Sequence, residues 1–309
     1  MRVTKTIIMS IAVVLLITIS SFAADDSNVV TVEQLYPNLA AGALTYAKVE
    51  TLDKGVLLKS EGIEISSADI DKSISSQPQQ LQAELKKNAF FVLEQQATGK
   101  LLKKIAAEKL SRSGKDIGSM DENQLLQAFI EELTKDIKVT DSDVETFYKE
   151  NESVFCGTPL ESVRKQIESY VLQDKKQRFV DQHIQTLGQK MEIIVSDVWT
   201  KQQAASAKDN PLDKARNEDK PTLAIFSAAS CCGPDKMIPV KQALETKYDS
   251  KINIVYIEPG KEQILAARYG IRSIPSQIIF DSKGKEHFRH SGFFSETDII
   301  GKLSELGVQ

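Results

Sequence analysis

Cysteine is scarce in this 309-residue chain: only Cys156, Cys231 and Cys232 occur. An odd count with two members adjacent is not a framework of structural disulfides. Histidine is equally scarce. His183, His287 and His290 have no ligand-like spacing to the cysteines, so nothing points to a zinc site or to a cofactor. Basic runs and aromatic-interleaved basic patches are missing, and the net charge is -4 with a pI near 5.6, which excludes a nucleic-acid surface. There is no internal repeat and no low-complexity tract.

Long apolar runs are also missing. The longest, Ile7–Ile19, is shorter than the roughly 20 residues a membrane span needs. Arg2 and Lys5 precede it, and Ser21-Phe22-Ala23 follows as a small-x-small cleavage site. The expectation is a secretory signal over residues 1–23, with no cysteine beside it to carry a lipid and no membrane span after cleavage. An uncleaved anchor is the alternative. The mature chain is expected in the periplasm, where disulfides can persist.

What remains is an ordinary composition, 41% hydrophobic and 27% charged, long enough for two domains that each bury a core. Residues 24–54 are weakly patterned and read as a surface lead-in. Gly55–Ile65 reads as two short strands about a Glu61-Gly62 turn, after which Ser67 caps a helix. Helical spacing follows over Pro78–Leu110, with a break expected near Thr98-Gly99, and over Asp121–Ile137. Thr140-Asp-Ser-Asp143 opens a short helix, and Thr158-Pro-Leu-Glu161 opens the longest one, expected to run to about Leu187. Met191–Ser196 reads as a strand, and the polar stretch 199–209 as a linker. The segments 62–70 (Gly-Ile-Glu-Ile-Ser-Ser-Ala-Asp-Ile) and 139–148 (Val-Thr-Asp-Ser-Asp-Val-Glu-Thr-Phe-Tyr), with the long return helix, resemble the chaperone region of SurA-type periplasmic foldases. That resemblance covers residues 55–196 and implies a mainly α-helical N-terminal domain, expected over 55–198. No room is left between Phe155 and Thr158 for a parvulin domain, so no prolyl-isomerase activity is implied.

The chemistry-bearing stretch lies later. Thr222–Phe226 reads as a buried strand, and Lys236–Tyr248 has Met237, Val240, Leu244 and Tyr248 at helical spacing. Between them runs Ser-Ala-Ala-Ser-Cys231-Cys232-Gly233-Pro234-Asp235. A cysteine at a strand-to-helix turn sits beside unpaired backbone N–H groups and the positive end of the helix dipole, both of which favour the thiolate. About 40 residues on, Tyr269-Gly-Ile-Arg-Ser-Ile274-Pro275 leads into the strand Ser276–Phe280, and the chain closes with a hairpin about Ser282-Lys-Gly284 and a helix capped by Ser295. The two motifs together closely resemble the thioredoxin family over residues 210–309. The resemblance implies an α/β fold: a thioredoxin fold whose mixed central sheet is flanked by helices. It also implies a cis Pro275 that shapes a substrate groove, with Gly233 and Pro234 lining it and Ile274 offering backbone pairing to an extended peptide.

The departures from that family are specific. Its second cysteine is replaced by Asp235, its preceding tryptophan by Cys231, and one extra residue follows Phe226, so either Cys231 or Cys232 can occupy the nucleophile position. Dithiol reduction through a Cys-x-x-Cys ring is excluded. Cys232 is read as the attacking sulfur; Cys231 assists or resolves, joins it in a strained ring, replaces the tryptophan as partner-facing surface, or forms a soft-metal pair with it. Asp235 is read chiefly as a helix cap whose charge opposes the thiolate. Cys156 is read as an unpaired surface or packed residue rather than a resolving thiol, and His287 and His290 as hairpin structure. The expected function is thiol–disulfide exchange, isomerase-like, on exported client proteins or peptides with cysteines, reset by a partner thiol protein. The alternative is a redox-inactive chaperone that uses the fold to hold peptides.

Overall fold

The computed structural model describes residues 30–152, 155–229 and 235–309. The expected signal lies outside them. No helix among the described residues is long and apolar enough to cross a membrane.

Residues 30–54 are not a surface lead-in. Thr31 caps α1 (Val32–Leu35) by accepting from Gln34 N, a 3-10 turn spans Ala43–Tyr46, and Val32, Leu44 and Ala47 are fully buried. Strand β1 (Lys48–Glu50) shows why the sequence concealed this. It pairs in parallel with β4 (Ile194–Ser196), a partner far away in sequence that no local pattern announces. Between them come β2 (Val56–Ser60) and β3 (Ile63–Ser66), antiparallel about Glu61 and Gly62, both at positive φ; the sheet order is β1-β4-β2-β3. The cap of α2 (Ser67–Ser75) is Ser66 rather than Ser67, in a reciprocal capping box with Asp69.

The helical body begins with α3 (Gln79–Lys87) and α4 (Ala89–Arg112), and their break falls at Asn88 instead of Thr98-Gly99. Asn88 leaves helical geometry at φ -110°, ψ 35°, and its amide donates to Glu84 O at 3.0 Å. Gly99 costs α4 about 1 kcal/mol in propensity, which burial of Leu93, Ala97, Leu101 and Ala106 outweighs. There follow α5 (Glu122–Leu133), α6 (Asp141–Glu150) and α7 (Leu160–Lys190), the last 31 residues long. The stretch expected as a linker is a helix, α8 (Asp197–Ala207). It buries Thr200, Ala204 and Ala207, and its Trp199 stacks on Phe90 at 6.1 Å. Ala, Gln and Lys are strong helix formers, so a polar composition hid a packed element.

The start of α6 carries a pH-dependent contribution to stability. The Asp143 carboxylate is held at about 2 by the Lys175 ammonium and by the Thr140 backbone and hydroxyl donors. A depressed carboxyl stabilises the fold above its unfolded value and loses that contribution as pH falls through its folded one. Asp143→Asn is therefore expected to flatten the decline in stability between about pH 5 and pH 2. Urea midpoints measured across that range check this; parallel curves for variant and parent reject it.

The C-terminal unit starts at α9 (Pro211–Arg216), whose cap Asn210 accepts from Leu212 N and Asp213 N. Strand β5 (Thr222–Phe226) is buried at every residue, as expected for a strand covered on both faces. After it come α10 (Met237–Tyr248), β6 (Asn253–Ile257), α11 (Gln263–Arg268), β7 (Ser276–Phe280), β8 (Glu286–Ser291) and α12 (Glu296–Glu305). The sheet runs β6-β5-β7-β8, with β6 parallel to β5 and β7 and β8 antiparallel to their neighbours. Side chains of β5 and β7 alternate between two cores, as a period of two requires. Leu223, Ile225 and Ile279 meet α10 and α12, whereas Ala224, Phe226, Ile278 and Phe280 meet α9 and α11. This is the mixed sheet with helices on both faces.

The two units touch. Arg272 pairs with Asp181 at 2.7 Å, Arg268 Nη1 donates to Ala207 O at 3.3 Å, and Ile264 packs into the N-terminal core.

Candidate functional site

Cys231, Cys232, Gly233 and Pro234 lie outside the described residues, so the site is built from what frames them. Strand β5 delivers the chain to the cysteine turn. Its last residue, Phe226, is in register with Ser276, the first of β7, so the end of β5 and Pro275 lie at the same end of two neighbouring inner strands. The Ile274–Pro275 peptide bond is cis. Pro275 O accepts from Gly292 N at 2.7 Å, and the Ser276 hydroxyl donates to Ser273 O at 2.7 Å, which ties the loop down on both sides. Ile274 is 44% exposed, unusual for a large aliphatic side chain.

On the other side of the turn stands Asp235. Its Oδ1 accepts from the Ser227 hydroxyl at 2.9 Å and from Met237 N at 2.8 Å, and its Oδ2 accepts from the Tyr256 hydroxyl. The residue in the place of the second family cysteine is thus a half-buried carboxylate with three donors. It satisfies one orphan amide of α10 from just outside the helix. Burial, and then the Asp235 carboxylate it donates to, pushes the Tyr256 hydroxyl above its ordinary range, so it stays a donor at neutral pH. Nothing in the sequence connected Asp235 to Tyr256: the contact is made because β6 lies next to β5, with Ile225 opposite Tyr256.

Beneath the site, Gln277 is fully buried and donates to Met237 Sδ at 3.5 Å, linking β7 to the first turn of α10. His290 stacks on Phe294 at 4.5 Å, and burial pushes its pKa down, so it is a neutral packing residue. Among the described residues no group of three or more His, Cys, Asp or Glu is placed to hold a metal ion.

One expectation is corrected. Cys156 is not an unpaired cysteine; it is disulfide-bonded. No local pattern signals this, because the residue lies between two helices of the other unit, remote from the motif.

Asp235 carries a prediction. Asp235→Asn keeps an acceptor for Met237 N but removes the negative charge three residues from Cys232. The thiol pKa next to it should fall, and alkylation near pH 7 should speed up, while the weakened cap costs about 1 kcal/mol. A pH profile of alkylation identical to the parent's rejects the electrostatic role.

Comparison with known proteins matches this architecture. Residues 209–307 match the thioredoxin-like domain family. Thioredoxin 2 of Chlorobaculum tepidum is 37% identical over 90 residues, covering 29% of this chain and 81% of that protein. A thioredoxin of Porphyra purpurea is 45% identical over 67 residues, which are 21% of this chain and 62% of the relative. A solved thioredoxin of Nicotiana alata aligns with 26% identity and a TM-score of 0.27, covering 30% of this chain and 79% of that one. The chain spans about three fifths of the length of several thioredoxins it matches. Through its C-terminal third, the chain belongs to the thioredoxin-like domain family.

Proposed function

We propose that this chain performs thiol–disulfide exchange on exported proteins, with Cys232 or Cys231 as the attacking sulfur and Pro275 and Ile274 forming the floor of the client groove. The observation that carries the reading is the joint placement at one end of the two inner strands. A cis proline with an exposed neighbour stands at the start of β7, in register with the end of the strand that leads to two cysteines. An extended client segment pairing with the backbone at Ile274 would lie across that end. Exchange proceeds by thiolate attack on a disulfide through a mixed-disulfide intermediate, and it needs only one attacking sulfur.

Export rests on the signal expected over residues 1–23, and client handling on the likeness of residues 55–196 to SurA-type chaperones. Together they describe a periplasmic folding factor that holds a client with its helical half and exchanges disulfides with the other. A second reading, a redox-inactive peptide holder, draws support from Asp235, which removes the customary second sulfur.

Insulin-disulfide reduction with dithiothreitol as the reductant separates the two readings. Exchange predicts turnover by the parent chain that falls to background in the Cys231→Ser, Cys232→Ser double variant, with the larger single loss identifying the nucleophile. Equal background turnover in all proteins leaves only the holding function.

A further inference from the structure

The two units enclose a cavity of about 70 Å³. A water needs at least about 10–15 Å³ of such space, so there is room for one small oxyanion and its remaining waters. Ala207 and Lys208 line it from the helical half, and Asp213, Arg216, Arg268 and Lys283 from the C-terminal unit. Among the described residues, four cations and a single carboxylate therefore share its wall. That carboxylate is already engaged. Asp213, 6% exposed, accepts from Asn210 Nδ2 at 2.6 Å, from Arg268 Nη1 at 3.0 Å and from the Tyr269 hydroxyl, and Arg216 Nη1 lies 3.6 Å away. One carboxylate between two guanidiniums leaves a positive charge over. Glu94 is near enough to act on Arg268 electrostatically, but its oxygens are taken by the amides of Ala41, Gly42 and Leu44.

Arg268 decides what the cavity can take. Its side chain is 8% exposed. Nη1 serves Asp213 and, at 3.3 Å, Ala207 O, whereas Nε and Nη2 donate to no acceptor among the described residues. Nor are these two nitrogens among the side-chain atoms buried without a partner, so they open on solvent, and the cavity is the space that Arg268 lines. Nε and Nη2 share one edge of the planar guanidinium. That edge matches a carboxylate or a phosphate with two parallel N–H···O bonds. Arg216 has no such edge to give: its Nε and Nη2 are committed to Gly284 O and its Nη1 to the Tyr269 hydroxyl. Lys208 and Lys283 are exposed and in no ion pair among the described residues.

From this arrangement we infer that the cavity is a binding site for a small phosphate-type oxyanion, free or as a phosphate monoester, gripped by the Nε–Nη2 edge of Arg268 with the Lys208 and Lys283 ammoniums at the rim. A dianion suits it better than a monocarboxylate, because Asp213 balances one of the four cations. The ligand touches the end of α8, α11 and the β7–β8 hairpin together, so it ties the helical half to the C-terminal unit and stabilises the docked chain by mass action. The site is separate from the thiol chemistry and stands whether or not the chain exchanges disulfides.

The test is a calorimetric titration of the full chain, near neutral pH and at matched ionic strength, with inorganic phosphate, glycerol 3-phosphate and acetate. The parent is expected to bind phosphate at one saturable site and acetate at least tenfold more weakly. Tighter binding of glycerol 3-phosphate than of phosphate assigns the site to monoesters, and the reverse assigns it to the free anion. The Lys208→Gln, Lys283→Gln double variant should bind roughly tenfold more weakly, the sum of two exposed charge contacts. Arg268→Lys keeps a charge but loses the two-pronged edge, and should lose still more. No saturable heat from either phosphate in the parent, acetate bound as tightly as phosphate, or parental affinity in the double-lysine variant overturns the inference. The double variant changes only exposed side chains, so a folding defect in Arg268→Lys does not blunt the test.

Discussion

Arg216→Met is expected to destabilise the C-terminal unit by about 3 kcal/mol or more, the penalty for breaking a buried charge pair from one side. Arg216 is 5% exposed at the end of α9. Its Nε and Nη2 both donate to Gly284 O, and its Nη1 donates to the Tyr269 hydroxyl at 2.6 Å. Its guanidinium lies over the Phe280 ring, 4.0 Å from the centroid. Asp213 keeps Arg268 at 3.0 Å in the variant, which sets the estimate at the low end of the range. The Gly284 carbonyl loses both Arg216 donors and keeps the Asn38 amide, which donates at 3.2 Å, so it is weakened rather than left without a partner. Gly284 turns the β7–β8 hairpin whose first strand follows Pro275, so the loss should reach the groove. At roughly 4–8 °C per kcal/mol for a folding unit of about 100 residues, the thermal midpoint should drop by about 12 °C or more. Arg216→Lys should recover little, because one ammonium cannot reproduce the planar fork. A midpoint within about 2 °C of the parent's contradicts this account.

The second large effect belongs to the helical half. Gly188 lies in the last turns of α7, against the 3-10 turn at Ala43. A Cβ built at Gly188 would lie 2.3 Å from Ala43 O and 2.8 Å from Ala43 Cα. On an exposed helix, Gly→Ala stabilises by about 1 kcal/mol, but here the obstacle is backbone and cannot rotate away. Overpacking of this kind costs about 1–3 kcal/mol, so the sign reverses and Gly188→Ala should be destabilising by about 2 kcal/mol. Equilibrium denaturation followed by Trp199 fluorescence, in the packed helix α8, reads it directly. A stabilised variant means that α7 does not press on the Ala43 turn as described.

These two residues also show what a sequence can and cannot convey. Arg216 reads as an ordinary basic residue in the last turn of a short helix, and Gly188 as a weak point in a long one. Each matters because of a partner far away in the chain: Gly284 for Arg216, Ala43 for Gly188. Local signals were legible where the physics is local. Thr140 with Asp143 marked the start of α6, and Glu61-Gly62 the first hairpin. The pair of motifs about Cys232 and Pro275 identified the C-terminal fold because two separate stretches of the chain had to agree. The lead-in and the supposed linker were misjudged for one reason. Burial of Val32, Leu44, Thr200 and Ala204 is imposed by packing between elements, and short or small-residue elements carry too little periodicity to show it. The surroundings of Asp235 were half legible: its relation to α10 followed from spacing, while its bond from Tyr256 depended on sheet order.

All of this depends on a sulfur made reactive by the strand-to-helix turn. The most direct measurement is the rate at which iodoacetamide alkylates each cysteine of the fully reduced chain at pH 7, resolved by peptide mass spectrometry against a cysteine in an unstructured peptide. The account predicts that Cys231 or Cys232 reacts faster than that reference. If both react no faster than it does, the thiolate is not stabilised and the chain has no exchange chemistry to resolve.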